Sequence, residues 1–264
     1  QDDGMVDILV GTQSNGQGHE TVFAQFLSDQ TGIPADHIRV VQGDSDLIAR
    51  GGGTGGSRSG TVQANATLQT VAVMEKAFRV FLSDKLEVDA DQIVFDDERF
   101  RAPGSNLSPT FLEVADMARA AGREDLMQHS AYAVLDSRSF PNGAHICEVE
   151  IDPDTGAVEV VRYSVVDDFG NLLNPMLVEG QVHGGVAQGI GQAISEHVVY
   201  DDQGQLLSAS FMDYAVPRAK DVPFYQFETE PLPTTTNVMG MKGCGEAGTV
   251  GALAAVSNAV HDAL

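Results

Sequence analysis

Gly240-Met241-Lys242-Gly243-Cys244-Gly245-Glu246-Ala247-Gly248 runs directly into an apolar helical pattern from Val250 to Leu264. Glycines at 240, 243, 245 and 248 strip side chains from this loop, so its backbone amides can approach a ligand closely. The helix start that follows adds unpaired N–H groups and the positive end of a helix dipole. Such a loop is built to receive an anion. The single carboxylate within it, Glu246, is therefore out of place unless it works as a base beside a bound cofactor.

Outward from this loop, the second half of the chain reads as strands and long helices. Cys147, Val149 and Ile151 alternate with Glu148 and Glu150, as in a strand with one wet face. Asp152-Pro153-Asp154-Thr155-Gly156 is a hairpin turn, and Ala157–Val166 returns as the partner strand. A helix is expected over Val178–His197, strands over Leu206–Tyr214 and Phe224–Glu230, and a last helix over Val250–Leu264. The first half has the same style. It shows a strand at Met5–Gly11, a helix at Glu20–Thr31 stopped by Gly32 and Pro34, a strand at His37–Gln42 and a long helix to about Asp84. Residues 91–130 read as a mixed connection with a short helix around Pro109–Ala121. The expected fold class is α+β: two similar subdomains of mixed β-sheet packed with long helices, 1–135 and 136–264, the second carrying the Glu246 loop.

Bulk composition narrows the function classes. At 264 residues and 42% apolar content the chain has enough material for a proper core. Acidic residues number 38 against 15 basic, a net charge of −23, which repels nucleic acid and anionic membrane. No run approaches the ~18 apolar residues of a membrane span. The two cysteines, Cys147 and Cys244, are too few and too distant for a disulfide framework, and a cytoplasmic location is expected. The opening Gln1-Asp2-Asp3-Gly4 lacks an initiating Met, so a fragment of something larger is expected.

Three further segments carry chemistry. The helix around 178–197 holds Gly180, Gly184, Gly185, Gly189 and Gly191, each costing about 1 kcal/mol relative to alanine. Either close packing against a neighbouring element or a flat face against a flat ligand would repay them, the latter with Gln181 and Gln188 as neutral hydrogen-bonding groups. Gly11-Thr12-Gln13-Ser14-Asn15-Gly16-Gln17-Gly18-His19-Glu20 is a glycine-rich turn ahead of a helix, without the Lys-Ser/Thr ending of a P-loop or the dinucleotide spacing. Gly55-Gly56-Ser57-Arg58-Ser59-Gly60 offers hydroxyls, a guanidinium and open amides before a second helix. It reads as a phosphate site or as a flexible linker. Cys244 as a nucleophile in a phosphate-ligand hydrolase is a weaker alternative, since no base is signalled near it. His19, His183 and His197 show no metal-ligand spacing, and no metal ligation by the protein is expected.

Four segments in order resemble the molybdopterin-binding large subunits of the xanthine oxidase, aldehyde oxidoreductase and carbon monoxide dehydrogenase family. They are Gly16-Gln17-Gly18-His19-Glu20-Thr21, then Gly56-Ser57-Arg58-Ser59, then Asn174-Pro175 with Glu179-Gly180-Gln181-Val182-His183-Gly184-Gly185, and finally Lys242-Gly243-Cys244-Gly245-Glu246. The resemblance extends over essentially the whole chain and corresponds to the C-terminal, second molybdenum domain of that subunit.

That resemblance implies a molybdenum–molybdopterin cofactor, with the cytosine dinucleotide form expected in a bacterial protein and the metal held by the pterin sulfurs. It implies cofactor contacts at Gln17, Gly18, His19, Gly56, Ser57, Arg58, Ser59, Gln181 and the Lys242, Gly243, Cys244 and Gly245 backbone, and Glu246 as the active-site base. The implied chemistry is oxidation of an aldehyde, N-heterocycle or similar small molecule by Mo–OH attack and hydride transfer to Mo=S. Electrons would leave through iron–sulfur and FAD groups on partner subunits. The N-terminal half of the molybdenum subunit is a further implied partner. Gly245-Glu246-Ala247-Gly248-Thr249 departs from the Glu-Ser-Pro ending of the carbon monoxide enzymes, which favours a hydroxylase. The alternatives are a carbon monoxide dehydrogenase-like subunit or a cofactor-binding module inert without its missing half.

Overall fold

A computed structural model describes residues 1, 3–135 and 137–264. The residues cluster into two compact units: Gln1–Thr54 with Ser59–Asp136, and Gly55–Arg58 with Ser137–Leu264. The four-residue turn 55–58, expected within the first subdomain, clusters with the second unit. The expected boundary at 136 falls on a position outside the described residues.

The first unit begins with a βαβ arrangement. Strands β1 (Val6–Leu9) and β2 (Ile38–Val41) pair in parallel from Val6↔Ile38 to Leu9↔Val41, and α1 (His19–Thr31) connects them. Gly32 ends α1 at φ 70°, a left-handed conformation in which its N–H reaches the Ser28 carbonyl. Helix α2 (Ser59–Leu86) follows, then a small hairpin of β3 (Val94–Asp96) and β4 (Arg99–Arg101). Helix α3 (Phe111–Ala120) starts at Thr110, whose side chain and that of Glu113 cap each other's backbone N–H groups. Phe100 and Phe111 stack edge-on with centroids 5.0 Å apart, in a core shared with Leu27, Ile38, Phe78 and Leu82. The hairpin is absent from the sequence reading because its strands are too short to show a period of two. Its turn, Asp97-Glu98, takes positive φ at both positions without a glycine to mark it.

The second unit is built on a mixed three-stranded sheet ordered β5-β6-β7. β5 (Asn142–Ile151) and β6 (Val158–Asp168) form a long antiparallel hairpin with a register shift at Glu148/Val149. Its turn is held by the Asp152 carboxylate, which accepts from the amides of Asp154 and Thr155. β7 (Gln226–Thr229) adds in parallel to the last part of β6, from Ser164↔Gln226 to Asp167↔Thr229. Helix α4 (Pro175–Ile194) is capped by Asn174 and opens with Pro175. Helix α5 (Ala247–Ala263) packs with it over Val182, Val186, Ala252 and Val256, all fully buried.

The α+β class is as expected, but one expected strand is not there. Leu206–Tyr214 makes only an isolated bridge, Tyr200↔Leu206, and then turns on itself. The Ser210 hydroxyl donates to the Asp213 carboxylate and the Tyr214 amide reaches the Ser210 carbonyl, which removes backbone and side-chain groups from any ladder. Phe211 and Met212 within it are 80% and 90% exposed, so the segment buries no apolar face.

Candidate functional site

Within the second unit Ser57, Gly243, Gly245 and Glu246 come together at the start of α5. Glu246 occupies the N-cap position of α5 without capping it, so its carboxylate is turned to other partners. Its Oε2 accepts a 2.6 Å hydrogen bond from the Ser57 hydroxyl. Gly243 explains how these segments come so close. A Cβ at 243 would sit 1.6 Å from the Ser57 carbonyl oxygen, so only glycine fits there. Gly245 lies in ordinary contact with the Ser57 hydroxyl, and Gly56 faces open space. Among the described residues no backbone hydrogen bond engages the amides of Gly56, Gly243 or Gly245. These amides make a donor set suited to an anionic group.

The loop is tied down from behind. Gly240 accepts at its carbonyl from the amides of Asn171 and Thr234, and the Lys242 amide donates to Phe169. The Asn237 side chain brackets Met241, donating to its carbonyl and accepting from its amide. The Lys242 ammonium is paired with the Asp168 carboxylate, with only 8% and 13% of the two side chains exposed. Asp168 also accepts from the amides of Gly170 and Leu232, each at 2.9 Å. Burial pushes the Asp168 pKa up, but the Lys242 bond and the two amides outweigh it and hold the group at about 2. Lys242 therefore spends its charge on Asp168 and its amide on the Phe169 carbonyl, so neither donor is available to a ligand. Asp168 was not legible in the sequence, since nothing local links a strand end to a loop 74 residues on, and Asn237, four residues before Met241, carried no motif that marked it.

Burial pushes the Cys244 thiol up to about 11, and the group packs against apolar neighbours. It is thus a neutral thiol at pH 7, which argues against the hydrolase alternative.

The glycines of α4 divide between two uses. A Cβ at Gly185 would come 2.9 Å from the Thr249 amide nitrogen, and one at Gly189 would come 2.6 Å from the Ala252 Cβ. These two exist so that α4 and α5 can touch. Gly180 and Gly184 meet nothing within 4 Å and are exposed, close in sequence to half-buried Gln181. That pair leaves a bare stretch of helix, as a flat ligand requires.

In the first unit Gln17, Gly18 and His19 lie at the start of α1, where Gly18 takes φ 81°. Gln17 Nε2 lies 3.2 Å from His19 Nε2, and Thr12 Oγ1 lies 3.5 Å from His19 Nδ1. Burial lowers the His19 pKa, so the ring is neutral at pH 7. Gly11 touches the backbone of Arg50 and Gly51, and its carbonyl accepts from the amides of Gly52 and Gly53. Thr54 bonds both the amide and the carbonyl of Gln13, and the Ser59 hydroxyl donates to Thr54. Two glycine-rich loops far apart in sequence are thereby joined. Arg58 is exposed just ahead of α2. Among the described residues no group of three or more His, Cys, Asp or Glu is placed to hold a metal ion.

In the second unit a glycine loop with unengaged amides holds one carboxylate at a helix start, on an α+β framework. The sequence profile of the molybdopterin cofactor-binding domain matches residues 1–223, and the chain belongs to that family. It is 36% identical over 98% of its length to the carbon monoxide dehydrogenase large chain of Afipia carboxidovorans, of which it covers 33%. It is also 36% identical, over 99% of its length, to the nicotine 6-hydroxylase large subunit of Paenarthrobacter nicotinovorans, again covering 33% of that protein. The structure superposes on quinoline 2-oxidoreductase from Pseudomonas putida 86 with a TM-score of 0.86 and 34% identity, covering 100% of this chain and 34% of that one. The chain thus spans about a third of the length of the curated relatives it matches. The xanthine oxidase, aldehyde oxidoreductase and carbon monoxide dehydrogenase large-subunit resemblance holds, and the chain matches a molybdopterin-binding portion of such subunits.

Proposed function

We propose that this chain is the cofactor-binding, base-carrying part of a molybdenum hydroxylase large subunit, acting on an aldehyde, an N-heterocycle or a similar small molecule. The observation that carries the reading is Glu246, held by Ser57 at the start of α5 beside a glycine loop in which the Gly243 and Gly245 amides make no backbone hydrogen bond among the described residues. The donor set fits an anionic pterin phosphate: amides at Gly56, Gly243 and Gly245, the bare Gly180/Gly184 stretch, and neutral Gln181. When bound, a molybdenum–molybdopterin group supplies the redox chemistry that the side chains lack. The residues' part is to bind and orient that group and to accept a proton at the Glu246 carboxylate. Cofactor contacts are assigned to Gln17, Gly18, His19, Gly56–Ser59, Gln181 and the Gly243–Gly245 backbone.

The same reading includes the cytosine dinucleotide form of the cofactor, a cytoplasmic location, and a division into two α+β subdomains near residue 135. It also includes the remaining part of the large subunit and separate iron–sulfur and FAD subunits as partners. Equal identity to a carbon monoxide dehydrogenase chain and to a nicotine hydroxylase chain leaves both substrate classes represented among relatives. The Glu246-Ala247-Gly248 sequence favours the hydroxylase.

Glu246→Gln in the assembled enzyme tests the assignment. Turnover is expected to fall by about a thousandfold or more while molybdenum content stays at the wild-type level. Retention of full turnover would remove Glu246 from the role of base. If the unaltered chain turned over substrate without the rest of the subunit, the requirement for that part would fall.

A further inference from the structure

Ser57 is a serine in a conformation that disfavours serine. Its φ is 51°, in the left-handed region that glycine tolerates and other residues adopt at a cost. Glycine would be the expected occupant of this position in a loop already holding Gly55, Gly56 and Gly60. The side chain must therefore do something that offsets the strain. Three observations say what. The Ser57 hydroxyl donates to Glu246 Oε2 at 2.6 Å. The Ser57 carbonyl fills the space a side chain at Gly243 would take, which wedges the Ser57 backbone against the loop that carries Glu246. That loop is in turn fixed by Lys242–Asp168 and by Asn237, so the hydroxyl meets a carboxylate that has little freedom to move away.

We propose that Ser57 is the positioning residue of the Glu246 base: a strained serine, locked by Gly243, that holds one carboxylate oxygen and leaves the other to take a proton. This goes beyond the cofactor contact expected of the Gly56–Ser59 loop, and it rests on the reading of Glu246 as a base. A hydrogen bond between a hydroxyl and a charged carboxylate constrains the carboxylate's rotation as well as its energy. Misplacement of a catalytic group by about an ångström is enough to cost about a hundredfold in rate.

Ser57→Gly separates this role from a structural one, because it removes the hydroxyl while relieving the backbone. Thermal stability is expected to stay level or rise. In the assembled enzyme kcat per bound molybdenum is expected to fall about tenfold to a hundredfold, with KM unchanged. Gly243→Ala, which displaces Ser57 but keeps its hydroxyl, should lower kcat similarly. A readout independent of turnover is the infrared carboxylate stretch of Glu246 in the cofactor-free chain, identified as the band lost in Glu246→Gln. Ser57→Gly should shift it to the position of a carboxylate without a hydroxyl donor. An unmoved band overturns the contact itself. A shifted band with turnover within about twofold of wild type overturns the positioning role. A joint fall in melting temperature, metal content and turnover would also overturn it, by making Ser57 a structural residue. A failure of the molybdenum reading shows separately, as absence of metal from the wild-type enzyme, and leaves the infrared test intact.

Discussion

At the scale of single residues, the site depends on polar groups whose partners lie far away in sequence. Asp168 shows this best. Its carboxyl pKa is held at about 2, below the ordinary value of 3.8, by Lys242 and two amides despite the opposing effect of burial. A depressed folded-state pKa means the unfolded chain binds the proton more readily. The stabilisation is therefore fully present above about pH 4 and lost as pH falls toward 2. The acid limb of thermal stability should lie in that window, and in Asp168→Asn this part of the pH dependence should disappear. The same variant strands a largely buried ammonium at Lys242 and should cost about 3 kcal/mol at pH 7, measured by urea denaturation. A loss under about 0.5 kcal/mol would show that water reaches Lys242 and that the pair does not anchor the loop. Glu246 was legible in sequence because a lone acid among glycines stands out. Ser57 was legible as a loop hydroxyl but not as its partner, since the two are 189 positions apart.

At the scale of elements, glycine has opposite meanings within one helix. Sequence leaves the five glycines of α4 open between packing and ligand binding; the structure packs Gly185 and Gly189 against α5 and leaves Gly180 and Gly184 bare. Gly189→Ala drives a Cβ to 2.6 Å from Ala252 Cβ and 3.0 Å from the Thr249 carbonyl, and should destabilise the second unit by about 1–3 kcal/mol. Gly184→Ala meets open space and should stabilise α4 by about 1 kcal/mol. If the bare Gly180/Gly184 stretch receives the cofactor, Gly184→Ala should also lower molybdenum retention in spite of the gain in melting temperature. Unchanged retention would assign the stretch to solvent. Helices and long strands were readable because period and stop signals are local: Gly32 with Pro34 announced the end of α1, whereas α4 begins three residues before its expected start, at the Asn174-Pro175 cap. The β3–β4 hairpin and the false strand at Leu206–Tyr214 were not. In both, positive φ or local hydroxyl–carboxylate bonds decide the backbone without leaving a pattern in hydrophobicity.

At the scale of the whole molecule, a net charge of −23 sets the response to salt. Most ion pairs are exposed and contribute little. The dominant long-range effect is self-repulsion, which ions screen. Raising sodium chloride from about 20 mM to about 500 mM shortens the screening length from ~20 Å to ~4 Å and should raise the melting temperature. A fall would mean that attractive pairs outweigh the net charge. Sequence by itself determined the α+β class, most of the helices, the family and the candidate base. All of these rest on local periodicity, caps and motifs written in consecutive residues. Only the tertiary structure decided that Ser57 touches Glu246, that Lys242 is spent on Asp168, that Cys244 is a neutral thiol, and which α4 glycines are packed and which are bare. Each of those depends on distance and burial between segments that the chain brings together only by folding.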